Sequence, residues 1–167
     1  MNGAELLTSE RIVRIDVAGT VVFAASAVVA AVVFDGPAKV QGVVLDLALF
    51  TVGVAAFLWG YWVAVQRSRQ DELSVAEVYF LLGSAVPRNV KRTMNLCLIA
   101  QTVVAVATAM ARPSTPSDTA ASGSSAGSTL AFGVLVPMFG LGLNGLWAAL
   151  HGTFGPRRKR SDDEEIG

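Results

Sequence analysis

The chain is poor in the residues that carry out chemistry: it has one cysteine, one histidine and only 16% charged residues. A single thiol, Cys97, excludes an internal disulfide, so cysteine usage says nothing about redox compartment. One histidine cannot supply the paired axial ligands of a membrane b-type haem within one chain. No group of histidine, cysteine and carboxylate has metal-ligand spacing. No Gly-Lys-Ser/Thr loop is present to cradle phosphate. No nucleophile stands beside the histidine in a recognisable motif. The expectation is a non-enzymatic protein without metal or cofactor. Lysine plus arginine and aspartate plus glutamate number 13 each, and the net charge is zero, so no global field favours nucleic acid. No platform of interleaved aromatic and basic residues lies outside the apolar segments either.

Apolar residues take the place of charge. They make up 53% of the chain, and the mean hydropathy is +0.54. They are concentrated in four runs, at about 15–34, 43–65, 93–111 and 129–151. Crossing the hydrocarbon core as a helix takes roughly 20 residues. Backbone left unpaired in lipid costs several kcal/mol per group, and the alternation of a barrel strand is absent. The sequence therefore predicts an all-α polytopic membrane protein, a four-helix transmembrane domain over 15–151. Asp35-Gly36-Pro37, Arg112-Pro113 and Gly155-Pro156 carry turn chemistry and mark the breaks. The first run lacks a small-residue cleavage site followed by a polar mature chain, and we read it as a retained helix.

Orientation follows from the lysines and arginines. The N-terminal tail, 1–14, holds Arg11 and Arg14. The loop 66–92 holds Arg67, Arg69, Arg88, Lys91 and Arg92, and the tail 152–167 holds Arg157, Arg158, Lys159 and Arg160. Only Lys39 and Arg112 fall on the other side. Both termini should be cytoplasmic in a multi-pass protein of the cell membrane. The basic side would face anionic headgroups, while the acidic run Asp162–Glu165 reads as a solvated tail. Residues 112–128, almost all Pro, Ser, Thr, Ala and Gly, read as a disordered external loop.

Within 66–92, Ser74-Val75-Ala76-Glu77 fits a capping box, followed by Val78, Tyr79, Phe80, Leu81 and Leu82 and stopped by Pro87. This predicts a short interfacial helix between the second and third spans. It either lies on the cytoplasmic membrane face or packs on the ends of the spanning helices. Trp59, Tyr61 and Trp62, and Trp147 and Phe154, read as an aromatic belt.

Polar groups inside spanning helices are costly, and each needs a reason. Hydropathy places Asp16 at the cytoplasmic end of the first span and Asp46 near the outer end of the second. Asn95, Cys97 and Gln101 fall in the inner half to the middle of the third. Asn144 falls in the inner half of the fourth, and His151 at its end. Helical spacing puts Gly133, Pro137, Gly140, Asn144 and Ala148 on one face of the fourth span. Asp46, Gly53 and Gly60 recur at seven-residue intervals in the second span, as do Met94, Gln101 and Thr108 in the third. Small residues let helices approach closely, and a buried amide bonds across a seam. Asp16, Asp46, Gln101, Gly140, Asn144 and His151 are therefore candidates either for helix packing or for a polar path. Asp16 and His151 could meet at the cytoplasmic boundary as a proton-responsive contact, against the plainer reading of residues reaching headgroups and water. Pro137 within a span predicts a freed carbonyl and a kink.

The stretch from Val136 to Phe154 (VPMFGLGLNGLWAALHGTF), with the Ala/Val-rich helices, resembles small four-helix membrane proteins of unknown function from high-GC actinobacteria. That resemblance implies a plan and no activity. The lack of a mid-membrane glutamate in the first helix sets the chain apart from small multidrug-resistance transporters. Two functions fit these residues. One is an accessory or structural subunit, packed in its own bundle or on a larger membrane partner. The other is a small homo-oligomeric transporter or channel for an ion or small solute.

Overall fold

In the computed structural model, residues 3–33, 36–82, 84–111 and 129–156 are described. The 112–128 loop and the charged run from residue 157 onward lie outside them. The described chain is helical, without a named strand. Its helices are α1 (Gly3–Val33), α2 (Gly36–Arg67), α3 (Val75–Tyr79), α4 (Arg88–Ala111) and α5 (Pro137–His151), with a 3₁₀ segment, Thr129–Leu135, before α5. Four stretches are long and apolar enough to cross a membrane: Thr8–Val32, Val40–Arg67, Arg88–Ala111 and Phe132–His151. The predicted all-α plan of four spans, with a short helix between the second and third, is the one observed. Proline helps to place the helix starts. Pro37 is the second residue of α2, Pro87 immediately precedes α4, and Pro137 opens α5, positions where a missing N–H costs nothing.

Hydropathy marks where a helix meets lipid, not where it begins. α1 already runs from Gly3, through residues read from sequence as a tail. Its first turns are held by packing. Ile12 is buried, and the Trp147 indole donates to Ser9 Oγ at 3.0 Å. Trp147 is thus an interior residue, not part of a belt. Trp59, Tyr61 and Trp62 do stand exposed on α2, 62%, 52% and 62% accessible.

The fourth span is the axis of the bundle. In its most apolar stretch 61% is buried inside the protein, against 28%, 17% and 22% for the first three spans. α5 touches α1, α2, α3 and α4, and its most extensive contact is with α2. The sequence suggests one small, polar face on this span. The structure instead buries α5 on nearly every side, with Leu150 its one exposed residue. The small residues fall at the α2 seam. A methyl group added at Gly53 would lie 2.5 Å from the Phe139 backbone, and one at Gly60 would lie 2.8 Å from the Leu146 amide nitrogen. One at Gly142 would strike the Gly53 carbonyl. The seven-residue stripe Asp46–Gly53–Gly60 is the side of α2 that faces this axis.

Pro137 does not kink a continuous helix. It is the first residue of α5, after a 3₁₀ segment that ends at Leu135, and Val136 links the two. The span is broken, so backbone groups at the break need partners from elsewhere.

The connection from α2 to α4 folds back among the spans. α3 has only five residues, and Ser74 occupies its N-cap without a side-chain cap bond, so the capping box is realised in position but not in bonding. Val78, Tyr79 and Leu81 are buried against the bundle, which decides for packing on the helices. Leu81 adopts φ 52°, a left-handed conformation that L residues with bulky side chains rarely take. The Tyr79 ring stacks on Phe57, with centroids 4.3 Å apart, and its hydroxyl donates to the Phe57 carbonyl at 3.1 Å. Phe57 lies ten positions before the end of α2 at Arg67, about 15 Å along the helix. The short helix thus reaches well up between the spans.

Candidate functional site

Polar side chains inside the bundle gather at three levels. The middle level centres on Gln101 of α4, which is completely buried, as is Asp16 of α1. The Gln101 amide makes three contacts. Its Nε2 donates to Thr20 Oγ1 at 2.7 Å and to Asp16 Oδ1 at 3.3 Å. Its Oε1 accepts from the Gly140 amide at 3.1 Å. Gly140 lies in the first turn of α5, where helix amides have no partner within the helix. Gln101 is therefore the cap of a helix that starts in the middle of the bundle, and the cap fixes which end of its amide faces Asp16. Gly140 leaves room for it: a methyl there would sit 2.7 Å from Gln101 Oε1. Thr20 is one turn from Asp16 on α1 and donates its own hydrogen back to the Asp16 carbonyl at 2.8 Å. The Cys97 thiol, one turn from Gln101, stands beside Asp16 and Thr20.

Asp16 is accordingly not paired with His151, because its carboxyl accepts from Gln101 and its backbone carbonyl from Thr20. Gln101 and Gly140 each lie near the middle of their spans, and so does Asp16 by contact with them. His151 packs its ring on Trp147, with centroids 5.4 Å apart.

A second level, on the side of the α2–α4 connection, joins Asn144 of α5 and Asn95 of α4 to the end of α3. Asn144 Nδ2 donates to the Tyr79 carbonyl at 3.2 Å and to Asn95 Oδ1 at 3.3 Å. Asn95 Nδ2 donates to the Phe80 carbonyl at 3.1 Å. These carbonyls belong to the C-terminal end of α3, where helix acceptors go unpaired. The irregular backbone is thus satisfied by side chains from two spans, the condition under which non-helical chain is tolerated within a membrane protein. Arg67 performs a matching task at the end of α5. Its guanidinium donates to the Ala149 and Gly152 carbonyls at 2.8 and 3.0 Å while pairing with Asp71 at 3.1 Å.

The third level, on the side of the α1–α2 connection, holds Asp46 among the described residues. It is buried, and a methyl on Gly133 would sit 3.6 Å from its Oδ2 and 3.5 Å from the Phe23 ring. Phe23, Ala27, Ala105 and Val136 form an apolar cluster. Phe23 and Ala105 stand one turn beyond Thr20 and Gln101 toward that same end. Asp46 is thereby cut off from the middle level, and Asp46, Gln101 and Asn144 do not line one path. Thr108 does not extend the path either, because its hydroxyl bonds its own helix at Val104 and Ala105.

Sequence reading singled out Asp16, Asp46, Gln101, Gly140 and Asn144 by polarity or size, but missed Thr20, Tyr79 and Arg67. Thr20 carried a signal, since it is four residues from Asp16 and so on the same helical face. Tyr79 and Arg67 bond to backbone distant in sequence, and no local pattern announces that. Among the described residues no group of three or more histidines, cysteines and carboxylates could hold a metal ion. Scans against protein-family models, curated proteins and solved structures find no match for this chain.

Proposed function

We propose that this integral membrane protein is a non-enzymatic accessory or structural subunit of a membrane assembly. One observation carries the reading. The costly polar groups of the spans are mostly tied to the chain's own broken backbone, so they hold an unusual bundle together and line no common path. The outward surface left for a partner is apolar, and on α2 it is aromatic, with Leu58, Trp59, Tyr61, Trp62 and Val65 all exposed. Trp and Tyr at such positions serve either headgroup anchoring or partner contact. In this reading both termini face the cytoplasm of the cell membrane, and the basic segments meet anionic headgroups. Affinity purification in gentle detergent, with mass determination of the intact complex, tests the proposal. A stoichiometric larger partner, lost on Trp59→Ala with Trp62→Ala, is the expected result. A homo-oligomer with nothing else bound would overturn it.

A second reading, a small homo-oligomeric transporter, is favoured by one observation: a carboxyl is buried at mid-span with one oxygen unpartnered. Intramembrane carboxyls often mark ion pathways. Flux in liposomes that falls in Gln101→Leu would support this reading, and absence of flux for protons and small cations would count against it.

A further inference from the structure

The polar side chains within the spans mostly answer to irregular backbone, but Asp16 does not. Its carboxyl is completely buried, and Oδ2 has no hydrogen-bond partner. Its two hydrogen-bonding neighbours, Thr20 and Gln101, are committed elsewhere in whole or in part. Thr20 donates its single hydrogen to the Asp16 backbone carbonyl. Gln101 is oriented by the Gly140 amide, so its Nε2 faces Asp16, but that nitrogen divides its hydrogens between Thr20 and Oδ1. Its reach to Oδ1 is the longer of the two, at 3.3 Å.

The charged and titratable groups facing the site are few. From α4 there is the Cys97 thiol, a weak donor. From α5 comes only the backbone of Gly140, through Gln101. α1 contributes Thr20. No lysine, arginine or histidine pairs with Asp16 among the described residues. Asp71 in the same protein shows what a supported carboxylate looks like. It is partly open to solvent and receives two guanidinium N–H groups from Arg67, at 3.1 and 3.2 Å. A carboxylate only accepts and draws several donors to its two oxygens, whereas a neutral acid carries one O–H donor and keeps acceptor capacity at its carbonyl oxygen. The Asp16 carboxyl receives one hydrogen, from Gln101 to Oδ1, and Oδ2 receives none, too little support for a carboxylate. Buried charges without a partner or full hydrogen bonding are avoided in protein interiors.

We propose that Asp16 is a proton-binding site in the middle of the membrane, with the proton on Oδ2 and Gln101 holding the other oxygen. A metal cation fits the surroundings poorly, because Thr20 Oγ1 and Asp16 Oδ1 already accept from Gln101, and Gln101 turns its nitrogen toward the site. The proton lies beside the break in the fourth span, since the amide that reads Asp16 also caps the first turn of α5. Release of the proton would be felt at that cap. The site is the same whichever of the two functions above the chain performs.

Dicyclohexylcarbodiimide tests this directly, because it adds to a protonated carboxyl in apolar surroundings. The acid's proton moves to a carbodiimide nitrogen, its oxygen bonds the central carbon, and the adduct rearranges to a stable N-acylurea. The full-length protein would be treated in detergent at neutral pH and the adduct mapped by peptide mass. The expected result is an adduct on Asp16 that is absent in Asp16→Asn and retained in Asp46→Asn. An adduct on Asp46 with none on Asp16 would overturn the proposal. If neither labels, the infrared difference between wild type and Asp16→Asn decides. A protonated-carboxyl carbonyl band present only in the wild type upholds the site, and its absence refutes it. Because the adduct is mapped on the wild-type chain, a folding defect in the variant leaves the first readout intact.

Discussion

Gln101 links three helices through one amide, and its value can be measured. Gln101→Leu removes the acceptor for the buried Gly140 amide and the donor shared by Thr20 and Asp16. A buried group left unsatisfied costs about 1–3 kcal/mol. We expect Gln101→Leu to destabilise the bundle by about that much, or more, in mixed-micelle denaturation. Thr108→Val should change stability by less than about 0.5 kcal/mol, as for substitutions away from such networks, because the Thr108 hydroxyl only returns to its own helix. Equal effects would remove Gln101 from its role as a cap. Tyr79 supplies a pH test. Burial pushes its hydroxyl up to about 12, and Tyr61 nearby adds to the rise. The unfolded value is about 10. An acid raised on folding favours its neutral form, so its contribution is full below pH about 10 and fades as pH climbs towards 12. Wild type should therefore lose stability above pH 10 more steeply than Tyr79→Phe, and parallel curves would refute the assignment. At this scale the sequence showed which residues were anomalous but not their partners. Asp16 was placed at a boundary because depth was judged from hydropathy, and the charged first turns of α1 hid how far the helix extends before it.

The elements that matter most are those that break a rule. A fourth span in two pieces and a five-residue helix folded up among the spans both expose backbone, and Gln101, Asn95 and Asn144 supply what that backbone lacks. Pro137 was legible as a disturbance. That it begins a helix was not, because the preceding Thr129–Leu135 segment is as apolar as the rest of the span. The burial of α5 on nearly all sides was also hidden, since in a membrane protein lipid-facing and core-facing residues can be equally apolar. The glycine seam between α2 and α5 was legible in part, as a stripe of small residues. Its test is Gly142→Ala, whose methyl would meet the Gly53 carbonyl with no flexible side chain to yield. Overpacking of this kind costs about 1–3 kcal/mol. Gly155→Ala is the control, because nothing lies within 4 Å of a methyl there, and it should be neutral. A Gly142→Ala protein as stable as wild type would show that the seam can open without penalty.

For the whole molecule, four runs of apolar residues were enough to find the spans, because lipid imposes helix on any uncharged stretch of that length. Orientation across the membrane is a separate question, and the charges bear on it. Eleven lysines and arginines fall in the two end segments and the α2–α4 connection, and Lys39 and Arg112 alone fall opposite. A bias of that kind sets orientation through the short loops next to the spans. The single native thiol, Cys97, is buried, so it should stay silent to a membrane-impermeant maleimide and leave a clean background. Ser124→Cys, between the third and fourth spans, should label from outside intact cells. Ser161→Cys, after the fourth span, should label only once the membrane is permeabilised. The converse pattern would place both termini outside, and the basic segments would then have no anionic cytoplasmic leaflet to meet. Labelling of both positions from outside would be more damaging still, because two sites on either side of one span can share a compartment only if that span does not cross. The break at Val136 makes this the span to question. Its α-helical part is 15 residues long, about 22 Å at 1.5 Å per residue, and it crosses a hydrocarbon core of about 30 Å only together with the seven-residue 3₁₀ segment, which adds about 14 Å at about 2.0 Å per residue.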